Sequence, residues 1–168
     1  MRKVPFIVAG ILALLVLLFI GRFFKSVPAG HVAVATLFGE VQTQPYEEGL
    51  HIPVNPLYDW YEFDVRQKTH METANVPTQD QLQTRVDVSI QYRLLGSQVA
   101  QTLKNTGTAR DVLQVHIVPK LRSLVREQGK SIVRAEDFFL ETTQNSLQDK
   151  ILAGLQEYLT PMGVEVNA

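Results

Sequence analysis

Residues 82–94 read LQTRVDVSIQYRL. Leu82, Thr84, Val86, Val88, Ile90, Tyr92 and Leu94 hold the even positions, and Gln83, Arg85, Asp87, Ser89, Gln91 and Arg93 hold the odd ones. A strand turns successive side chains to opposite faces, so this alternation predicts a long β-strand with one face on a core and one in water. Gly96 ends it, and Ser97 is placed to cap a short helix through Asn105.

Downstream the period becomes helical. From Thr108, Val112, Leu113, Ile117, Leu121, Leu124 and Val125 mark one face of a helix that ends at Gly129. Pro119 lies inside that pattern and should kink or split it, because its ring removes a backbone donor and clashes one turn back. Ala135–Phe139 predicts a single helical turn. Leu147, Ile151, Leu155, Tyr158 and Leu159 then predict a second helix over 143–159, stopped by Thr160-Pro161-Met162-Gly163. Val164-Glu165-Val166 starts a further strand, too short for an ordinary domain end, which suggests that the sequence is a piece of a longer chain.

Upstream, His31–Phe38 (HVAVATLF) is β-branched and apolar, and Gly39-Glu40 before Val41-Gln42-Thr43 suggests a hairpin. Residues 44–57 hold three prolines and a glycine and read as a loop with one short extended piece. Tyr58–His70 reads as one strand. Strands first, helices later and a returning strand place the chain in the α+β class.

The first 25 residues are a different material. Val4–Gly21 is a run of 18 uncharged residues flanked by Arg2 and Lys3 and by Arg22 and Lys25. As a helix it spans about 27 Å at ~1.5 Å per residue, close to the ~30 Å hydrocarbon layer once Arg22 and Lys25 snorkel. It reads as a transmembrane anchor over 1–25. The alternative is a cleaved signal peptide on an exported monomeric periplasmic or extracellular binding protein or enzyme. Val27-Pro28-Ala29 offers a cleavage site, but signal h-regions run about 7 to 15 residues and are not followed by two cations. A pilin-like subunit also begins with an apolar helix; Pro5 and the lack of an acidic residue in the run count against it. The positive flanks nearly tie, and the short N-terminal tail favours an inside N-terminus with the domain outside the cytoplasm.

Composition narrows the function. The whole chain carries 16 basic and 17 acidic residues, a net charge of -1, but residues 26–168 alone carry 12 basic against 17 acidic, a net of -5. Such a domain lacks the uncompensated cations that nucleic acid demands. With no Cys, disulfides, thiolate metal sites, cysteine nucleophiles and lipidated cysteines are excluded. His31, His51, His70 and His116 show no paired metal-ligand spacing, and Glu47-Glu48 and Glu136-Asp137 read as a solvated pair and a helix N-terminal charge. No phosphate-binding glycine loop or nucleophile elbow is present. The chain reads as a non-enzyme without cofactor. One segment stands out: Leu57, Tyr58, Trp60 and Tyr61, beside three prolines, gather the only Trp close to the anchor. They read either as an ordinary core strand or, with Arg22 and Lys25, as a membrane-interface surface where amphipathic rings are favoured.

Several pieces resemble a known family. Val27-Pro28-Ala29-Gly30-His31-Val32-Ala33-Val34, Phe38-Gly39-Glu40-Val41 and Glu48-Gly49-Leu50-His51-Ile52-Pro53 are similar to the start of the SPFH or band 7 domain. Phe63-Asp64-Val65-Arg66, Thr78-Gln79-Asp80 with Val86–Arg93, and Gly163-Val164-Glu165-Val166 are similar to its later motifs, in family order, and the nearest branch is prohibitin-like. Gln79 departs from the Lys found in many relatives. The resemblance implies a transmembrane helix followed by an SPFH domain with a curved antiparallel sheet and packed helices. It implies a membrane-proximal subdomain over 26–80 and a distal one over 81–168, with a C-terminal coiled-coil region missing. It also implies a scaffold on membrane lipid, a homo-oligomer or hetero-oligomer with a related SPFH protein forming rings or cages, the organisation of a membrane microdomain, and regulation of a membrane-anchored AAA protease.

Overall fold

The computed structural model describes residues 21–80 and 82–167. Its elements are β1 (Lys25–Val27), β2 (His31–Leu37), β3 (Glu40–Val41), β4 (Gly49–His51), β5 (Tyr58–Asp64), β6 (Lys68–Pro77), β7 (Gln83–Leu94), α1 (Val99–Asn105), α2 (Ala109–Val112), α3 (Val118–Gly129), α4 (Glu141–Leu159) and β8 (Val164–Asn167). The α+β class holds, with the β structure spread over three small antiparallel sheets ordered β1-β4, β3-β2-β5 and β6-β7-β8.

The first sheet pairing follows from composition. β2 carries Val32, Ala33, Val34, Ala35 and Thr36 with both of its faces buried, and pairs along its whole length with β5, from His31 opposite Asp64 to Leu37 opposite Tyr58. Val32, Val34 and Phe63 join the main core; small Ala33 and Ala35 leave room on the other face for the aromatic rings of Tyr46 and Trp60. The stretch expected as one strand over Tyr58–His70 is broken after Asp64. The Asp64 carboxylate accepts from the Arg66 N–H at 3.1 Å and from its guanidinium at 2.9 Å, and Val65 N–H donates to Gly30 O at 3.0 Å. A side chain that binds its own backbone two residues on makes a turn. β6 therefore begins a new sheet.

That sheet is built on the β6–β7 hairpin, in register from Lys68 opposite Tyr92 to Pro77 opposite Gln83, with β8 on the far edge of β7. The even-numbered face of β7 turns to the helices as the alternation requires, with Ile90, Tyr92 and Leu94 buried. Burial fades towards the turn: Val86 and Val88 are half-buried and Leu82 is exposed. The reason is coverage, because β8 flanks only Gln91–Leu94. α3 and α4 lie on this face, with Leu121, Leu124, Val125, Ile151, Leu155 and Leu159 buried together with Val164 and Val166. Each fully buried aliphatic or aromatic side chain stabilises by ~1.5–3 kcal/mol, against ~0–1 for an exposed ion pair, so this shared core rather than surface charge holds the sheet and helices together.

One helix boundary differs from expectation. Ser97 lies in a 3-10 turn over Gly96–Gln98, and the α1 N-terminus has no side-chain cap. Pro119 splits the regular α-helical run as expected: α2 passes through a π turn over Leu113–Ile117, and α3 starts at Val118 with Pro119 in its first turn, where proline is tolerated. Gly163, at φ 78°, closes the turn after α4 in the left-handed region that favours glycine.

Candidate membrane-facing surface

The chain enters the described region at Gly21, passes a turn and becomes β1, which pairs with β4 through Lys25 opposite His51 and Ser26 opposite Leu50. Residues 21–27 are thereby tied to the domain. Phe23 O accepts the Val54 N–H at 2.8 Å, and Arg22 Nη2 donates to Tyr58 O at 3.5 Å. Lys25 is half-buried, its ammonium 2.6 Å from Glu62 Oε1 and 5.6 Å from the centroid of the Trp60 ring. The ring of Tyr46 meets Trp60 edge-on at 4.9 Å and His51 at 5.1 Å, and Tyr58 meets Trp60 at 5.7 Å. Such T-shaped pairs add ~0.5–1.5 kcal/mol each beyond burial. Burial first, and the neighbouring Tyr58 second, push the Tyr46 hydroxyl above its usual range.

Of the six residues singled out from the sequence, Arg22, Lys25, Tyr58 and Trp60 meet in one cluster on one face of β5. Leu57 lies in the preceding turn, half exposed, its N–H held by Asn55 Oδ1 at 3.0 Å. Tyr61 stands apart: opposite Val34 in register, it projects from the other face of β5 and is exposed.

Around the cluster lies a set of exposed apolar side chains that sequence reasoning passed over. Leu50 and Ile52 are 63% and 65% exposed on and after β4, Phe23 and Phe24 are exposed where the chain enters, and Phe38 is 84% exposed at the β2–β3 turn. Register places that turn beside the start of β5, since Leu37 pairs with Tyr58, whose carbonyl takes Arg22. The signals were present: Leu50 and Ile52 are apolar at every second position of a segment too short to bury both faces, and Phe38 precedes the turn glycine Gly39. Exposed apolar side chains beside cations and amphipathic rings suit the boundary between hydrocarbon and headgroups.

The polar residues have structural partners. His31 contacts Ala29 O at 3.2 Å, His51 contacts Glu47 O at 2.7 Å, His70 contacts Glu72 at 3.3 Å, and His116 contacts Thr106 at 3.0 Å. Glu48 accepts the Gly30 N–H at 2.7 Å and Asp137 the Arg134 N–H at 3.1 Å. Among the described residues no three His, Asp or Glu side chains gather as a metal site, and no helix is long and apolar enough to cross a membrane. Residues 1–20, which hold nearly all of the expected anchor, lie outside the described residues.

Comparison with known proteins agrees with the sequence motifs. The family model described as SPFH domain / Band 7 family matches residues 25–168. No curated protein matches the chain.

Proposed function

The chain belongs to the SPFH domain / Band 7 family, a family of membrane-associated scaffolds, and from that premise we propose that it is a non-enzymatic scaffold held on a membrane by residues 1–25. In this reading the apolar end of the domain rests on the bilayer, and copies assemble into rings or cages, alone or with a related SPFH protein, that enclose a membrane microdomain. A membrane-anchored AAA protease is the partner such an enclosure would regulate. The anchor runs with its N-terminus inside and the domain outside the cytoplasm, and 26–80 and 81–168 act as membrane-proximal and distal subdomains.

The observation that carries the reading is the cluster of exposed Phe23, Phe24, Leu50, Ile52 and Leu57 at the point where the chain leaves the anchor. Water-exposed apolar area of this kind costs free energy at about 25 cal/mol per Å², which a lipid surface recovers. Confinement to a membrane also raises the effective concentration of neighbouring copies, so weak lateral contacts suffice for assembly. The test is the size of the detergent-extracted full chain by native gel and negative-stain imaging. Closed multi-copy particles are the expected result; a monodisperse monomer contradicts the scaffold reading.

A further inference from the structure

The joint between β5 and β6 carries a small basic cavity of about 220 Å³, bordered by that turn, by the end of β7 and by α2 with the π turn after it. At ~30 Å³ per water it has room for about seven waters, or for one tetrahedral oxyanion with a short substituent. Arg66, Lys68 and Arg110 line it together with a single carboxylate, Asp64. Arg93 borders it too, but its guanidinium is paired with Glu165 at 2.7 Å. The other three cations against Asp64 leave a net of +2, in a chain whose residues 26–168 sum to -5.

The donors of this cavity are not used up. Asp64 is its one repulsive group, and it is held by Arg66 Nε and Nη2 at 2.9 Å each and by Lys68 Nζ at 3.4 Å. Arg110 is exposed and makes no ion pair among the described residues. Tyr92, the register partner of Lys68 on the same face of the sheet, is only 8% exposed. A buried phenol normally finds a hydrogen-bond partner, yet the Tyr92 hydroxyl has none among the described residues and keeps its contact with water through this cavity.

Guanidinium forks match the oxygens of a phosphate, and a net of +2 suits a dianion. We propose that this cavity binds the dianionic phosphate group of a small soluble phosphate monoester, with Arg66, Lys68 and Arg110 supplying the charge and Tyr92 a hydroxyl donor. A lipid headgroup is the other source of such a group. Asp64 and Tyr58 are the two ends of the seven-residue β5, about 20 Å apart at ~3.3 Å per residue, which sets the cavity away from the Arg22 end of that strand and favours the soluble source. A ligand held there ties the β5–β6 joint to α2 and stabilises the folded chain by mass action.

The probe is glycerol 3-phosphate, titrated into the full chain in detergent at constant ionic strength and read by the thermal midpoint. A saturable rise is the expected result, with none from dimethyl phosphate, a monoanionic diester. Arg110→Gln, at an exposed position, should keep the circular dichroism spectrum and raise the half-saturating concentration about tenfold or more, the size of a hydrogen bond to a charged group. Tyr92→Phe, which keeps the ring, should raise it about two- to tenfold. No saturable rise, or one that Arg110→Gln leaves unchanged, overturns the site. An equal response to dimethyl phosphate overturns the preference for a dianion. An Arg110-dependent response to phosphatidic acid in the micelles, without one to glycerol 3-phosphate, overturns the soluble source.

Discussion

Lys25 Nζ lies 2.6 Å from Glu62 Oε1, joining β1 to β5, the strand at the centre of the aromatic cluster. Both side chains keep contact with water, at 20% and 39% exposure, so the pair is a positioning contact more than a source of stability. A double-mutant cycle of Lys25→Ala and Glu62→Ala, read by urea denaturation, should give a coupling below about 1 kcal/mol. A coupling of several kcal/mol would show that the pair is far less hydrated than its exposure indicates.

Gly129 is the position where local propensity and packing disagree. Alanine near a helix end should gain up to ~1 kcal/mol of helix propensity, yet a Cβ there would overlap Val76 Cγ1 in β6. Overpacking costs ~1–3 kcal/mol, so packing wins and Gly129→Ala should lower the denaturation midpoint. Adding Val76→Ala should recover part of the overlap penalty, a non-additive result that the same denaturation series would reveal.

Acid should loosen the junctions between elements. The Arg66 side-chain hydrogen bond holds the Asp64 carboxyl well below the usual range, and the Arg122 hydrogen bond, aided by His70, holds Glu72 low. Asp80 is lowered chiefly by the Thr78 hydroxyl and Asp111 by Thr108. A carboxylate whose folded pKa is depressed contributes stability that is present above its unfolded value, about 4, and is lost as pH falls through the folded value. The thermal midpoint should therefore vary little through these groups between about pH 7 and 5 and fall below about pH 4. Glu72→Gln should show a smaller acid-induced drop than the parent chain in the same thermal scans.

The order of strands and helices was legible because period 2 and period 3.6 are each imposed by burial on one face. The alternation over 82–94 found β7, and the apolar stripes over 112–125 and 147–159 found the helical run and α4. What escaped depends on contacts outside the local pattern. The break between β5 and β6 is made by Asp64 turning onto Arg66 and by Val65 reaching Gly30, residues that a pattern of apolar positions does not weigh. The π turn before Pro119 is likewise invisible to a period count, since it changes the hydrogen-bond spacing without moving the apolar stripe far. At the candidate surface, the aromatic run flagged Tyr58 and Trp60, whereas Phe38 and Leu50 come together with them only through strand register.

Contact between the apolar end of the domain and the bilayer can be measured directly, because the sequence has no Cys. Single cysteines in place of Leu50 and, as a control, Phe139 would carry an environment-sensitive nitrobenzoxadiazole label on the full chain in liposomes. Both sites are exposed, at 63% and 83%, but Phe139 belongs to the helical turn over Ala135–Phe139, whose Ala135 N–H donates to Asp80 Oδ2 at 3.4 Å at the turn end of the β6–β7 hairpin. That hairpin's ten-residue β6 spans about 33 Å at ~3.3 Å per residue. Bilayer contact should give blue-shifted, brightened emission at position 50 that lipid-borne quenchers extinguish, with a water-like spectrum at 139. Water-like emission at both positions would contradict it.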